Sequence, residues 1–369
     1  MKKKFKFIRY SKIDYTFLII VIILVAFGLA MLTSASSDLG KIKYGDSFYY
    51  LKHQLISGIL PGFLGFLFGF FVNYKFWKKI SLYFLIISII FLLLVFTPLG
   101  IKAYGAQRWV NIFGFSFQPA EILKLSLIIY MSSWLSKNYK KQKNFSESTL
   151  PFLIILILVT FPIFLQPATT TALLMVLATL VMYLTAGANL KSLAFSFLIM
   201  LLIFILLVLT TPYRFDRILN FLHPQNDILG KNYHLNQMLM ALGNGGLWGV
   251  GYGKSTTKIF YLPEPMGDSI FAVIGEELGF IGSVFVILMF ILLVWSGIKI
   301  AKRTEDPFGR FFVIGSVSII GFQAAIHIAS ISGILPPTGI PLPFISYGGT
   351  SLATLLTMSG IIFNISLKS

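Results

Sequence analysis

The 369-residue chain contains no cysteine, which excludes disulfides, thiol catalysis and cysteine-ligated metals. Histidine is nearly as scarce: His53, His223, His234 and His327 are the whole set, and their separations match no metal-ligand spacing. Charge is thin as well, 12% of residues where a soluble domain carries about a quarter. No G-x-x-x-x-G-K-[ST] string occurs, which argues against a nucleotide-binding loop. Nor is there a 20–50-residue repeat or a pair of inverted halves, the pattern of many secondary transporters.

What is present is apolar. The apolar fraction is 56% and the mean hydropathy +0.84, so a soluble form would expose far too much apolar surface. A bilayer is crossed by about 20 apolar residues in a helix. Such runs predict ten spans, near 15–36, 50–72, 80–97, 119–136, 150–166, 168–187, 190–211, 269–297, 309–333 and 343–366. The fold class expected is therefore an all-α polytopic membrane protein, one domain over 1–369, with residues 212–268 as a large loop between helices 7 and 8.

The basic start MKKKFKFIRYSK resembles the first part of a signal peptide, but the apolar run behind it is too long and lacks a cleavage site. It is expected to be a tail, 1–14, followed by the first span. The net charge of +17 invites a nucleic-acid partner. The basic residues, however, cluster between apolar spans and not on one face of a soluble domain, so no nucleic acid is expected. Nineteen of the 30 Lys and Arg fall on one side of the predicted topology, which places both termini in the cytoplasm.

Three constellations on the other side hold the remaining polar chemistry. In GAQRWVNIFGFSFQPAEILKL (105–125), Arg108 and Trp109 precede a turn, and Glu121 and Lys124 lie on one helix face. Intramembrane ionisable residues are costly and read as functional; a structural ion pair, or an interfacial Arg-Trp anchor, is the plainer alternative. In GNGGLWGVGYGKSTTKIFYLPEPMGDSIFAVIGEELGF (243–280), glycines would let amides approach an anion, with Lys254 and Lys258 adding charge. Asp268 stands where a helix cap belongs, the bland reading of that residue. Glu276 and Glu277 follow within the span and need partners, Lys124 among the candidates. SGILPPTGIPLPFISYGGTS (332–351) describes rigid non-helical backbone, tolerated at membrane depth only inside protein or lining a cavity.

Together with TSAS (33–36), YRFDR, FLHPQND and YLPEP, these blocks resemble the SEDS proteins (shape, elongation, division and sporulation), the group of FtsW and RodA, over nearly the whole chain. TSAS and YLPEP look more like FtsW. The resemblance implies a ten-span fold and a peptidoglycan glycosyltransferase that polymerises lipid II at the outer face of the cytoplasmic membrane. It also implies a class B penicillin-binding protein and other division proteins as partners, and septal work as the setting. A lipid-precursor flippase, or a RodA-like lateral-wall polymerase, is the alternative.

On this resemblance Asp268 is the catalytic candidate. Arg108, Trp109, Glu121, Lys124, Gln237, Lys258, Glu264 and Ser346 make up the expected substrate-binding set, with a divalent cation (Mg or Mn) as an optional aid. Two departures from the family pattern are visible. Met266-Gly267 replaces the usual His-Thr before the Asp, and Ala168 stands where an Asp is common.

Overall fold

The computed structural model describes residues 15–103, 106–112, 114–138, 145–166, 168–223 and 232–368. The basic tail 1–14, the lysines at 140–143, Pro167 and the 224–231 part of the long loop lie outside the described residues.

In lipid every backbone polar group must be satisfied within its own segment, so the apolar runs become helices. The first part comprises α1 (Tyr15–Tyr44), α2 (Tyr49–Gln54) continuing through a π turn into α3 (Leu60–Phe71), α4 (Tyr74–Leu93), α5 (Pro119–Lys137), α6 (Leu150–Leu165), α7 (Thr169–Thr185) and α8 (Leu190–Thr210). The long segment folds into α9 (Pro212–Leu222), α10 (Tyr233–Gly245) and the short α11 (Thr257–Phe260). After it come α12 (Ile270–Arg303), α13 (Pro307–Ile331) and α14 (Gly349–Lys368). Among the described residues, eight helices are long and apolar enough to cross a membrane. The expected total of ten depends on α5, which carries Glu121 and Lys124, and on α7, only 17 residues long.

The core lies around α13, which packs on α5, α7 and α12. There Phe308, Phe311, Phe312, Ile319 and Ile320 are fully buried. α14 lies along α3 because Gly62, Gly65 and Gly69 present no side chain to it, a close approach typical of membrane helices.

Two features depart from the expected pattern. Residues 98–118 are not a plain loop: β1 (Gly100–Ala103), β2 (Ala106–Ile112) and β3 (Phe115–Phe117) form an antiparallel meander with Ile101 opposite Trp109 and Asn111 opposite Ser116. The all-helical expectation missed it because each strand is too short to show a clear alternation. The last span also starts at Gly349 and not 343; residues 341–348 stay extended and turned, as four prolines nearby require.

The long segment does not stay apart from the spans either. α12 is broken at Gly279, whose φ of 67° and ψ of −163° are not helical. The glycine loop repairs the break. Val250 and Gly251 donate their amides to the Glu276 and Glu277 carbonyls at 2.9 and 3.0 Å, while Phe280 and Ile281 donate to Gly246 and Leu247. The break lies roughly 13 Å along the helix from Ile270 at 1.5 Å per residue, and the loop runs alongside α12 there with Leu247, Trp248 and Tyr252 exposed. The Val250 and Gly251 amides, in the segment expected to cradle an anion, are thereby used on the helix.

Candidate active site

α12 begins at Ile270, with Ser269 at the cap position and no side-chain capping bond. Asp268 is thus not the helix cap. Its backbone is set by the preceding turn, in which Glu264 takes a positive φ of 47° and its carbonyl accepts from Gly267 and Ser269 at 3.0 and 3.2 Å. The proline-rich 332–348 loop is clasped onto this turn. Ser346 Oγ donates to the Gly267 carbonyl at 2.8 Å and itself accepts from the Leu342 amide at 2.7 Å. Tyr347 donates its amide to Met266 at 2.8 Å. Gly339, at φ 64°, lies so close that a Cβ there would stand 3.2 Å from Asp268 Oδ2. A larger residue would suffer both a strained backbone and an intrusion into the carboxylate.

Among the described residues none donates a hydrogen bond to the Asp268 carboxylate. Burial pushes its pKa up to about 6, Glu264's like charge pushes the same way, and Arg108 and Arg217 oppose them. Such a group is largely ionised at neutral pH yet has a basicity close to it, the condition for efficient general-base work.

Arg108 comes from β2 and its Nε approaches the Gln166 carbonyl at 3.5 Å. Trp109, next on the strand, is half-buried and by strand alternation points to the opposite face. Arg217 comes from α9, inside the YRFDR string, and was missed as a site residue. That string carried the family resemblance, but nothing in it showed that Arg217 acts electrostatically on Asp268. His234 was missed for the same reason: it sits on α10, with Nε2 2.9 Å from Ser269 Oγ. Burial and the Arg217 charge lower its pKa, so it is neutral at pH 7. Gln237 lies one turn further along α10, half-buried.

The remaining expected residues are placed elsewhere. Glu121 and Lys124 form an ion pair at 2.7 Å with side chains only 4% and 3% exposed. Lys124 also donates to Gln323 Oε1 at 2.9 Å, and Gln323 Nε2 donates to the Pro341 carbonyl at 2.8 Å. The pair therefore reaches the Asp268 site indirectly, through the proline-rich loop. Lys258 is a correction: its ammonium has three acceptors, Glu277 Oε1 at 2.7 Å, Ser34 Oγ at 2.9 Å and the Gly253 carbonyl at 3.0 Å. With its donors used inside the protein, it is not a free cation for substrate. Ser34 in turn donates to Glu277, while Ser255 and Thr257 hold Glu276, so neither glutamate relies on Lys124. Among the described residues there is no cluster of three or more Asp, Glu or His. Asp268 with Glu264 supplies two carboxylates, which suffices for Mg²⁺ only when substrate phosphates and water complete its shell.

Fold and site together define a polytopic membrane protein with a carboxylate raised toward neutral pH and two guanidinium groups acting on it where the helical bundle meets its large loop. A family model described as "Cell cycle protein", that of FtsW, RodA and SpoVE, matches residues 14–369. The chain belongs to this family. It is 40% identical to stage V sporulation protein E of Bacillus subtilis, over 96% of both chains. It is 38% identical to the probable peptidoglycan glycosyltransferase FtsW of Geobacter sulfurreducens, over 97% of this chain and 96% of that one. Its fold is shared with a solved chain from a peptidoglycan synthase complex that coordinates polymerization and crosslinking, at a TM-score of 0.79 and 23% identity, covering 97% and 98% of the two chains.

Proposed function

We propose that the protein is a peptidoglycan glycosyltransferase that polymerises lipid II into glycan strands, with Asp268 as its general base. The observation that carries this is the state of Asp268: a carboxylate with no hydrogen-bond donor among the described residues, pushed up to about 6, beside Arg108 and Arg217. Asp268 takes the proton of the acceptor sugar's hydroxyl as that oxygen bonds to the anomeric carbon of the growing strand. The bond from that carbon to the lipid diphosphate breaks, and Arg108 and Arg217 stabilise the charge gathering on the departing diphosphate. A divalent cation held by Asp268 and Glu264 would add positive charge at the same place. Ser346, the Glu121–Lys124 pair and Gln323 act as positioning residues that fix the loop carrying Gly339.

In this reading both termini are cytoplasmic and the Asp268 end faces outward, where lipid II presents its headgroup. A class B penicillin-binding protein crosslinks the strands alongside, other division proteins join the assembly, and the septum is the setting. The relative named FtsW and the synthase-complex neighbour support this. A flippase would keep an open polar path between the membrane faces. Glu121 and Lys124 instead neutralise each other inside the bundle.

The test is polymerisation of lipid II by the purified full-length protein with its partner in detergent, where no sidedness exists. Polymer from wild type that disappears in Asp268→Ala is the expected result. Polymer undiminished by that change removes Asp268 from the chemistry, and no polymer under any condition favours transport.

A further inference from the structure

α12 changes its surroundings at the Gly279 break. Before it, Ile270, Val273, Ile274, Glu276 and Glu277 are buried by other parts of the protein. After it, Phe280, Ile281, Leu288 and Ile291 are exposed on the outside of the bundle, as on a helix that faces lipid. Residues 279–298 carry no charged side chain and run about 30 Å at 1.5 Å per residue, the hydrocarbon thickness of a bilayer. At the far end Lys299 sets its ammonium 3.1 Å from the Trp295 ring centroid, a pairing suited to a membrane boundary. The break therefore lies at the opposite boundary, on the Asp268 side.

The loop that bridges the break brings an apolar patch to that level. Leu247, Val250 and Tyr252 are exposed, and Trp248 is 81% exposed although tryptophan is seldom left so open. Backbone bonds from Phe280 and Ile281 to Gly246 and Leu247 hold the patch against the first lipid-facing residues of the span. Tyr252 donates its hydroxyl to the Ala30 carbonyl of α1 at 2.7 Å, which ties the loop to a second span. Lys254, exposed two residues further on, adds a positive charge. An indole near the glycerol groups with a lysine stem reaching to the phosphates is a pairing that a bilayer interface favours.

We propose that the 246–254 loop is an interfacial anchor for anionic phospholipid, with Leu247 and Trp248 among the glycerol and upper acyl groups and Lys254 on the phosphate. Because the same loop bridges the α12 break, its hold on lipid steadies the segment that runs from Gly279 back to Asp268. The proposal is independent of the reaction assigned to Asp268.

The chain has no cysteine, so Trp248→Cys creates a single labelling site. Full-length protein carrying bimane there is placed in phosphatidylglycerol nanodiscs. Lipid spin-labelled near the headgroup should quench it more than lipid labelled at the chain end, and iodide in the water should quench it little. Leu247→Cys is the second labelling position should Trp248→Cys fail to fold. Trp248→Ser should speed hydrogen exchange of the Val250, Gly251, Phe280 and Ile281 amides by about tenfold. Replacing phosphatidylglycerol with phosphatidylcholine should speed the same exchange up to about fivefold in wild type and leave Lys254→Gln unmoved. Strong iodide quenching with silent lipid labels overturns the anchor, as does shielding from iodide that only a partner protein provides. Unchanged exchange in Trp248→Ser overturns the link to α12.

Discussion

Asp268 and Glu277 stand nine residues apart on the same side of one break in α12, and the protein treats them in opposite ways. Glu277 is fully buried and receives Ser34 on both oxygens and Lys258 on one. Asp268 receives no hydrogen bond from the described residues and has another carboxylate, Glu264, close enough to raise its pKa. A buried charge with every partner in place holds structure. A carboxylate raised by burial and a like charge, with the Arg108 and Arg217 charges opposing, has a proton affinity near neutral pH, as proton transfer requires. The contrast separates the charge that is fully paired within the protein from the charge proposed to work.

The comparison is broken most directly at its two ends. Asp268→Asn should lower lipid II polymerisation by a factor on the order of 10²–10⁴ with the thermal unfolding midpoint in detergent unchanged. A matching loss of stability would put Asp268 among the structural charges. Lys258→Met leaves Glu277 buried without its cation and should cost about 3–5 kcal/mol of stability, read as a lowered unfolding midpoint. The double change Lys258→Met with Glu277→Leu should recover much of that loss, and failure to recover would show that Lys258 does something besides pair. Gly279→Ala should destabilise by about 1–3 kcal/mol from its positive φ alone, and by more because a Cβ there would stand 2.3 Å from the Gly249 amide nitrogen. The smallest effect sharpens the Asp268 side. Glu264→Gln removes a like charge that raises the Asp268 pKa, so the acidic limb of the pH–rate profile, near 6 in wild type, should move to lower pH. Below that limb Asp268 is protonated and cannot accept the hydroxyl proton, so activity falls as pH falls. An unmoved limb would mean that another group sets it.

Much of this was legible along the chain. Apolar runs of sufficient length left helices as the only spanning structure, and Asp268 was visible as an acid between a glycine-rich loop and a span. Arg108 was visible too, as a basic residue outside a span. Other assignments failed because they depended on partners distant in sequence. Glu276 and Glu277 had Lys124 as one candidate partner, whereas Ser255, Thr257, Ser34 and Lys258 hold them and Lys124 stays with Glu121, the structural ion pair that was the plainer reading. Lys258 read as a free cation because Ser34, 224 residues earlier, cannot be known to lie beside it. Arg217 and His234 carried no site role in the sequence until α9 brought Arg217 into electrostatic reach of Asp268 and α10 set His234 against Ser269.

By itself, the sequence determined the membrane-spanning class and the family, and it marked Asp268 as the carboxylate to ask about, because hydrophobic length and motif order are local properties. Only the tertiary structure decided which charges are neutralised and which remain available. Neutralisation depends on distances of a few ångströms between segments hundreds of residues apart, and no local pattern encodes them.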